Sequence, residues 1–293
     1  VATSTGDIRW VGVDGVDTRV LTAGDVTAPP VVLLHGIGGH LEAFDRNLAA
    51  LARTRRVIAY DLPGHGWSTA PTGRSYEIDG YLAHLAALLD VLELPAADLV
   101  GLSLGGWIAG RAAIELPERV RRLVLVAPGG VLADPAVMNS IRTLTAAAAA
   151  APTEQTVRAR LGWLMADPAT VTDELVATRL AIYRRPGTAA TTARVLCLQD
   201  PQVRARNLLA PTDWKRVTAP TLVVWGDADA TGPAEVGARL AGWLPAGRFL
   251  AMPGTGHWPQ FEDPLSFDRA VTAFLDETGA PIDRLPLTER KTP

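Results

Sequence analysis

Residues 98–110 read DLVGLSLGGWIAG, and the fold turns on how this stretch is read. Leu99 and Val100 run into Gly101. One hydroxyl follows, Ser103, flanked by Gly101, Gly105 and Gly106, and an apolar helical pattern comes next. Gly101 to Gly105 fit the pattern G-x-S-x-G, which sets a serine on a sharp turn between a buried strand and a helix. Glycines two residues to either side remove the Cβ atoms that would collide in such a turn. The hydroxyl then stands at a helix N-terminus, where partial positive charge favours a developing anion. A serine that merely caps a helix is the plainer reading. A buried strand before it and a helix after it weigh against that reading.

Outward from this turn, buried strands and helices alternate. PPVVLLHG, RVIAYDLPGHG, ADLVGLS and VRRLVLVAP read as strands buried on both faces. LEAFDRNLAALAR, YEIDGYLAHLAALLDVLEL and LGGWIAGRAAIEL have helical spacing between them. IRWVGV and TRVLTAG, joined through Asp14-Gly15, read as an opening hairpin. The alternation resumes with APTLVVWGDAD, PAEVGARLAGWL, GRFLAMPGTGH and PLSFDRAVTAFLDE. This is the signature of an α/β fold on a mostly parallel sheet. Between residues 130 and 216 the alternation stops and four helical segments follow. The alanine run before Pro152 belongs to the first, since Ala is the best helix former. The expected organisation is a core of residues 1–129 and 217–279, a helical cap over 130–216, and a loosely held Pro-rich tail over 280–293.

Sites in open α/β sheets form outside the carboxyl ends of the strands, and the marked loops of this chain leave such ends. A serine hydroxyl is a weak nucleophile without a base. Of the five histidines, His257 in GTGHWPQFEDP is the best base, on the loop after the last expected strand. His35 in LLHGIGG reads as a loop brace, His65 as a residue near the mouth, and His84 as packing or surface on a helix. The base needs a carboxylate to fix its tautomer, and VVWGDADATGP offers Asp229, with Asp227 as a turn cap or the alternative. Acyl-transfer chemistry also needs donors for an oxyanion. The N–H groups of Leu104 and of Ile37, or of Gly38 if the HGIGG loop turns differently, are the candidates.

Composition narrows the rest. A hydrophobic fraction of 48% with 20% charged residues reads as globular. A net charge of −3 gives no footprint for nucleic acid. No apolar run reaches membrane-spanning length, and the first residues lack a signal-peptide pattern, so the expected location is cytoplasmic. The lone Cys197 cannot make an internal disulfide, and neither CxxC nor zinc-spaced histidines occur. No metal and no cofactor are expected. The expected partner is a small hydrophobic substrate, with homo-oligomerisation left open.

These motifs together resemble the α/β-hydrolase fold superfamily, from VVLLHGIGG through GLSLGGWIA and PERVRRLVLVAPGG to GHWPQFEDP. The resemblance implies an eight-stranded, mostly parallel sheet with an inserted lid. It also implies a triad of Ser103, Asp229 and His257. Within the superfamily, SLGGWIA, GHWPQFEDP and VTDELVATRLAIY look most like the meta-cleavage-product hydrolases, which split a C–C bond in 2-hydroxy-6-oxo-dienoates. That likeness makes Arg179 a holder of the substrate carboxylate and Trp258 a pocket residue. Gly36, Gly38, His40, Leu102 and Trp163 complete the expected substrate contacts. Two positions depart from the group: Leu102 stands where it carries asparagine, and HGIGGH replaces its Gly-Pro-Gly. Leu102 withholds a polar contact, which brings in a carboxylesterase or lactonase with the same triad as the rival expectation. The serine at 103 argues against dehalogenases and epoxide hydrolases, which place aspartate there.

Overall fold

The computed structural model describes residues 6–277, so the tail expected over 280–293 lies outside the described residues. Eight strands form one sheet: β1 (Asp7–Val13), β2 (Val16–Ala23), β3 (Pro30–Leu34), β4 (Arg56–Tyr60), β5 (Ala97–Leu102), β6 (Val120–Val126), β7 (Thr221–Gly226) and β8 (Gly247–Met252). Their order is β1-β2-β4-β3-β5-β6-β7-β8. β2 pairs antiparallel with both β1 and β4. From β4 to β8 every pairing is parallel. The β1–β2 hairpin closes through Asp14 and Gly15, both at positive φ, which matches the twist of the strands it joins.

The central strands are apolar at consecutive positions because the sheet is covered on both faces. Val32, Leu34 and Leu99 pack into one cluster with the helices Ile78–Val91 and Leu104–Glu115. Val31, Leu33, Val100 and Leu102 pack into the other, against the helix Pro264–Asp276. One expected helix is shorter than its spacing suggests. LEAFDRNLAALAR forms a single 3-10 turn, Leu41–Phe44, and a one-turn helix, Leu48–Leu51. Asn47 interrupts it. This residue is fully buried and donates through Nδ2 to the carbonyl of Gln260 and to Asp268, tying the segment to the C-terminal part of the chain.

Between β6 and β7 the chain leaves the sheet for the helices Pro135–Ala150, Glu154–Gly162, Asp173–Tyr183, Thr188–Val195 and Pro201–Asn207. Four of the five starts are capped by a side chain: Asp134, Thr153, Thr172 and Asp200 each accept a first-turn N–H. The block sits over the carboxyl ends of the strands and is tied to the loops that leave them. Arg179 reaches the carbonyl of Gly38, Arg185 that of Gly66 and Arg194 that of Pro71.

Candidate active site

Ser103 follows β5 directly and caps the helix Leu104–Glu115 with φ 53° and ψ −111°. A non-glycine residue there is strained, a condition that persists only where the surroundings enforce it. They do so through the neighbouring glycines. A Cβ on Gly101 would lie 2.4 Å from the carbonyl oxygen of Gly105, and one on Gly105 would lie 2.1 Å from that of Leu34. Both clashes are with backbone, so the turn cannot relax around a side chain. Two hydrogen bonds hold it, from Ser103 N–H to Val126 and from Gly129 N–H to the Ser103 carbonyl.

His257 lies beyond β8 and Asp229 beyond β7, on parallel neighbouring strands, which brings the two loops together. Nδ1 of His257 is 2.9 Å from Asp229 Oδ2 and 3.1 Å from Thr231 Oγ1. Asp229 Oδ1 accepts the Thr231 N–H, which fixes the carboxylate plane. Asp227 instead accepts the N–H of Gly254 and closes the turn after β8. Thr231 went unremarked in the sequence, because a threonine after DADA carries no signal until the loop is folded. Ser103 and His257 line one cavity, yet no hydrogen bond joins Ser103 Oγ to His257 among the described residues. Such bonds are commonly loose before substrate binds.

The histidine loop is strapped to the helical block as well as to the sheet. His257 N–H donates to the carbonyl of Leu164 at 2.7 Å. Glu262 accepts Gly256 N–H through one oxygen and Ala166 N–H through the other. Gly256 is required at this crossing, since a Cβ would lie 2.5 Å from the Leu164 carbonyl oxygen.

The loop after β3 approaches the serine from the other side. A Cβ on Gly36 would sit 3.1 Å from that of Ser103. The Ile37 N–H donates to no backbone carbonyl among the described residues. The Leu104 N–H belongs to the first helical turn, whose donors no intrahelical carbonyl reaches. His35 braces this loop: its Nδ1–H donates to Gly36 and its Nε2 accepts the Leu62 N–H. Burial, then the neighbouring His65, hold its pKa well below the ordinary histidine value, so it stays neutral. His40 is fully buried, with Nδ1 on Glu42 and Nε2 unpartnered.

Two cavities flank the loop. The first is mostly apolar and is lined by Ser103, His257, Ile37, Leu104, Trp107 and Leu198 among others. The second is mixed in character, more apolar than polar, and its lining includes Gly38, Gly39, His65, Thr145 and Tyr183. Arg179 is buried beside the second, with Nη1 on the Gly38 carbonyl and on Tyr183, and with Nε and Nη2 unpartnered. Arg160, which no sequence motif singles out, is buried and bonds Thr145. Of the expected substrate contacts, Gly38 lines the second cavity, whereas Gly36, His40, Leu102, Trp163, Arg179 and Trp258 line neither. Leu102 is wholly buried in the apolar cluster under the sheet, Trp258 packs edge-on against Phe261, and Trp163 carries Arg160 over its ring. Among the described residues no three His, Cys, Asp or Glu side chains gather to hold a metal, and no helix is long and apolar enough to cross a membrane.

Comparison with known proteins agrees with this geometry. The profile of the alpha/beta hydrolase fold family matches residues 29–264. A 2-hydroxy-6-oxo-2,4-heptadienoate hydrolase of Pseudomonas putida is 34% identical over 272 residues, 91% of this chain and 95% of that protein. A 2-hydroxymuconate semialdehyde hydrolase of Pseudomonas sp. strain CF600 is 34% identical over 256 residues, 86% and 88% of the two chains. Among solved structures, a meta-cleavage product hydrolase from Pseudomonas fluorescens IP01 superposes with a TM-score of 0.81 at 27% identity, covering 91% of this chain and 97% of that one. The chain belongs to the alpha/beta hydrolase fold family. It is an enzyme of the hydrolase class, and its relatives include the meta-cleavage product hydrolases.

Proposed function

We propose that the protein is a cofactor-free serine hydrolase that splits the C–C bond beside the 6-oxo group of a 2-hydroxy-6-oxo-dienoate. The observation that carries this reading is the His257–Asp229 hydrogen bond at the wall of a cavity that Ser103 shares. Ser103 attacks the carbonyl carbon, or activates a water for that attack, and His257 takes the proton through Nε2. Asp229, with Thr231 beside it, holds the Nδ1–H tautomer and stabilises the imidazolium. The N–H groups of Ile37 and Leu104 receive the oxyanion. The substrate reacts as its 2-oxo tautomer, its hydroxyl proton moved to C5. Collapse then breaks the C–C bond, the electron pair delocalises onto the 2-oxygen, and His257 returns the proton to that dienolate. Water then hydrolyses any acyl-enzyme, so one water is consumed overall. The helical block over 130–216 acts as the lid, the cavity at Ser103 takes the acyl side, and Arg179, behind the Gly38 and Tyr183 wall of the second cavity, holds the carboxylate.

The test is turnover of a 6-oxo-dienoate against a short p-nitrophenyl ester, with fluorophosphonate labelling of Ser103. Labelling with a strong preference for the dienoate supports the proposal. Labelling with turnover of the ester alone assigns an esterase or lactonase instead. Absence of labelling in folded protein removes Ser103 as the nucleophile.

A further inference from the structure

We propose that Arg160 is a second substrate-reading cation, which with Arg179 selects a 2-oxo or 2-hydroxy acid over a plain carboxylate. The inference deepens the proposed function and rests on its placing the acid head beside Arg179.

The two guanidiniums form a charge arrangement that folding alone does not account for. Each residue is less than 5% exposed, and neither has a carboxylate in ion-pair reach among the described residues. Burial pulls the Arg160 pKa down to about 10, and the charge of Arg179 pulls in the same direction. Buried cations without a counter-ion are strongly disfavoured, and replacing such groups by apolar ones commonly stabilises a protein. A site that keeps both is built for an anion that arrives from outside.

The free donors indicate how many acceptors that anion brings. Arg179 uses Nη1 on Gly38 and Tyr183, leaving Nε and Nη2 unpartnered. Those two atoms form one edge of the guanidinium, the fork that grips both oxygens of a carboxylate. Arg160 uses Nε on Thr145, and its buried Nη1 is unpartnered. Once a carboxylate fills the Arg179 fork, Arg160 still lacks an acceptor, and an oxygen on the adjacent carbon supplies it. No strand residue competes for that oxygen, because the residue before Ser103 is the buried, apolar Leu102. The partners that hold the two cations converge at Gly38, Arg179 directly and Arg160 through Thr145. A Cβ on Gly38 would lie 3.2 Å from the Thr145 methyl, 3.2 Å from the Tyr183 hydroxyl and 3.8 Å from Arg179 Nη1. Gly38 is two residues from Gly36, which abuts Ser103. The acid head and the reacting carbonyl therefore belong to one short molecule.

The experiment is calorimetric titration of the whole protein with 2-oxohexanoate and with hexanoate, a pair that differs by one oxygen. The wild-type protein should bind the 2-oxo acid about tenfold or more tightly than hexanoate, as one charge-assisted hydrogen bond allows. Arg160→Met should bring the ratio to within about twofold while leaving hexanoate binding in place. Arg179→Met should weaken both acids, and Arg160→Lys, which keeps charge without the fork, should retain part of the preference. Without ligand, Arg160→Met should melt no lower than wild type. A preference unchanged by Arg160→Met, an equal loss of both acids, or no binding of either acid to wild type overturns the proposal. So does a clearly lower melting temperature, which would make Arg160 a strut between its helix and that of Thr145. Fluorophosphonate labelling of the same samples separates the two readings. Labelling without acid preference removes this inference alone, and acid preference without labelling removes the hydrolase reading alone.

Discussion

Asp229 Oδ2 lies 2.9 Å from Nδ1 of His257, while Asp227, two residues earlier on the same loop, is turned away to hold the N–H of Gly254. The pair offers an internal control. Asp229→Asn should lower kcat by about 10³–10⁴-fold, since an amide no longer fixes the imidazole tautomer. Asp227→Asn should leave kcat nearly intact and cost about 1 kcal/mol of stability through a weakened turn. Steady-state assays on a p-nitrophenyl ester with melting curves check both, and equal kcat losses would dissolve the assignment.

The backbone of Ser103, at φ 53°, makes a stability prediction of the opposite sign to the activity one. Ser103→Ala should fold normally and lose turnover by several powers of ten. Ser103→Gly should lose turnover equally and melt at or above the wild-type temperature, because glycine releases strain of about 1–3 kcal/mol. A lower melting temperature for the glycine variant would mean that the turn is not strained.

His84 sets part of the acid response. It is fully buried, bonded to Thr18 and stacked on Tyr60, and burial pulls its pKa down to about 3. The unfolded chain binds that proton near pH 6.5 and the native one does not, so stability falls as pH drops from about 6.5 toward 3. Asp45, Asp61 and Asp268, each raised to about 6 mainly by burial, act in the opposite direction below pH 6. Comparing variants isolates the histidine. His84→Gln should flatten the decline between pH 6 and 4 by about 1.4 kcal/mol per pH unit. Denaturant titrations at several pH values measure this, and parallel curves for the two proteins would exclude it.

Glu262 spans the seam between the histidine loop and the helical block, one oxygen on Gly256 N–H and the other on Ala166 N–H. Glu262→Gln keeps a single acceptor and should cost about 0.5–1.5 kcal/mol, from one lost bond at a partly exposed seam. Because the seam positions His257, kcat should fall more than KM rises. Amide exchange at Gly256 and Ala166 should quicken in this variant, and unchanged exchange would show that the seam is held by other contacts.

Much of this architecture was readable in the chain because it is local. Six of the eight strands announce themselves as short apolar runs closed by turn residues, and the elbow needs only five consecutive residues to declare itself. The histidine, its carboxylate and the serine follow from the loops that leave those strands. What escaped reading is what distant segments decide together. Asn47 ends a helix whose spacing looked continuous because its partners, Gln260 and Asp268, are more than two hundred residues away. Glu262 and Gly256 look like ordinary loop residues until Leu164 and Ala166 arrive against them. Arg160 is one arginine among many until Thr145 turns it inward. Leu102 was expected at the substrate, yet strand alternation carries its side chain to the far cluster while its neighbour Ser103 meets the cavity.

The carbonyl of Leu164 is also a constraint on how this protein can change. It belongs to the inserted block rather than to the sheet, yet it holds the backbone of His257. Drift in the block is therefore never neutral for the site: a shift that reshapes the block also moves the imidazole of His257. Engineers who graft a block from another hydrolase onto this sheet would inherit the same coupling. A chimera with its junction drawn through 164–166 should lose rate on every substrate alike, whereas one that keeps this short segment native should change only its preferences.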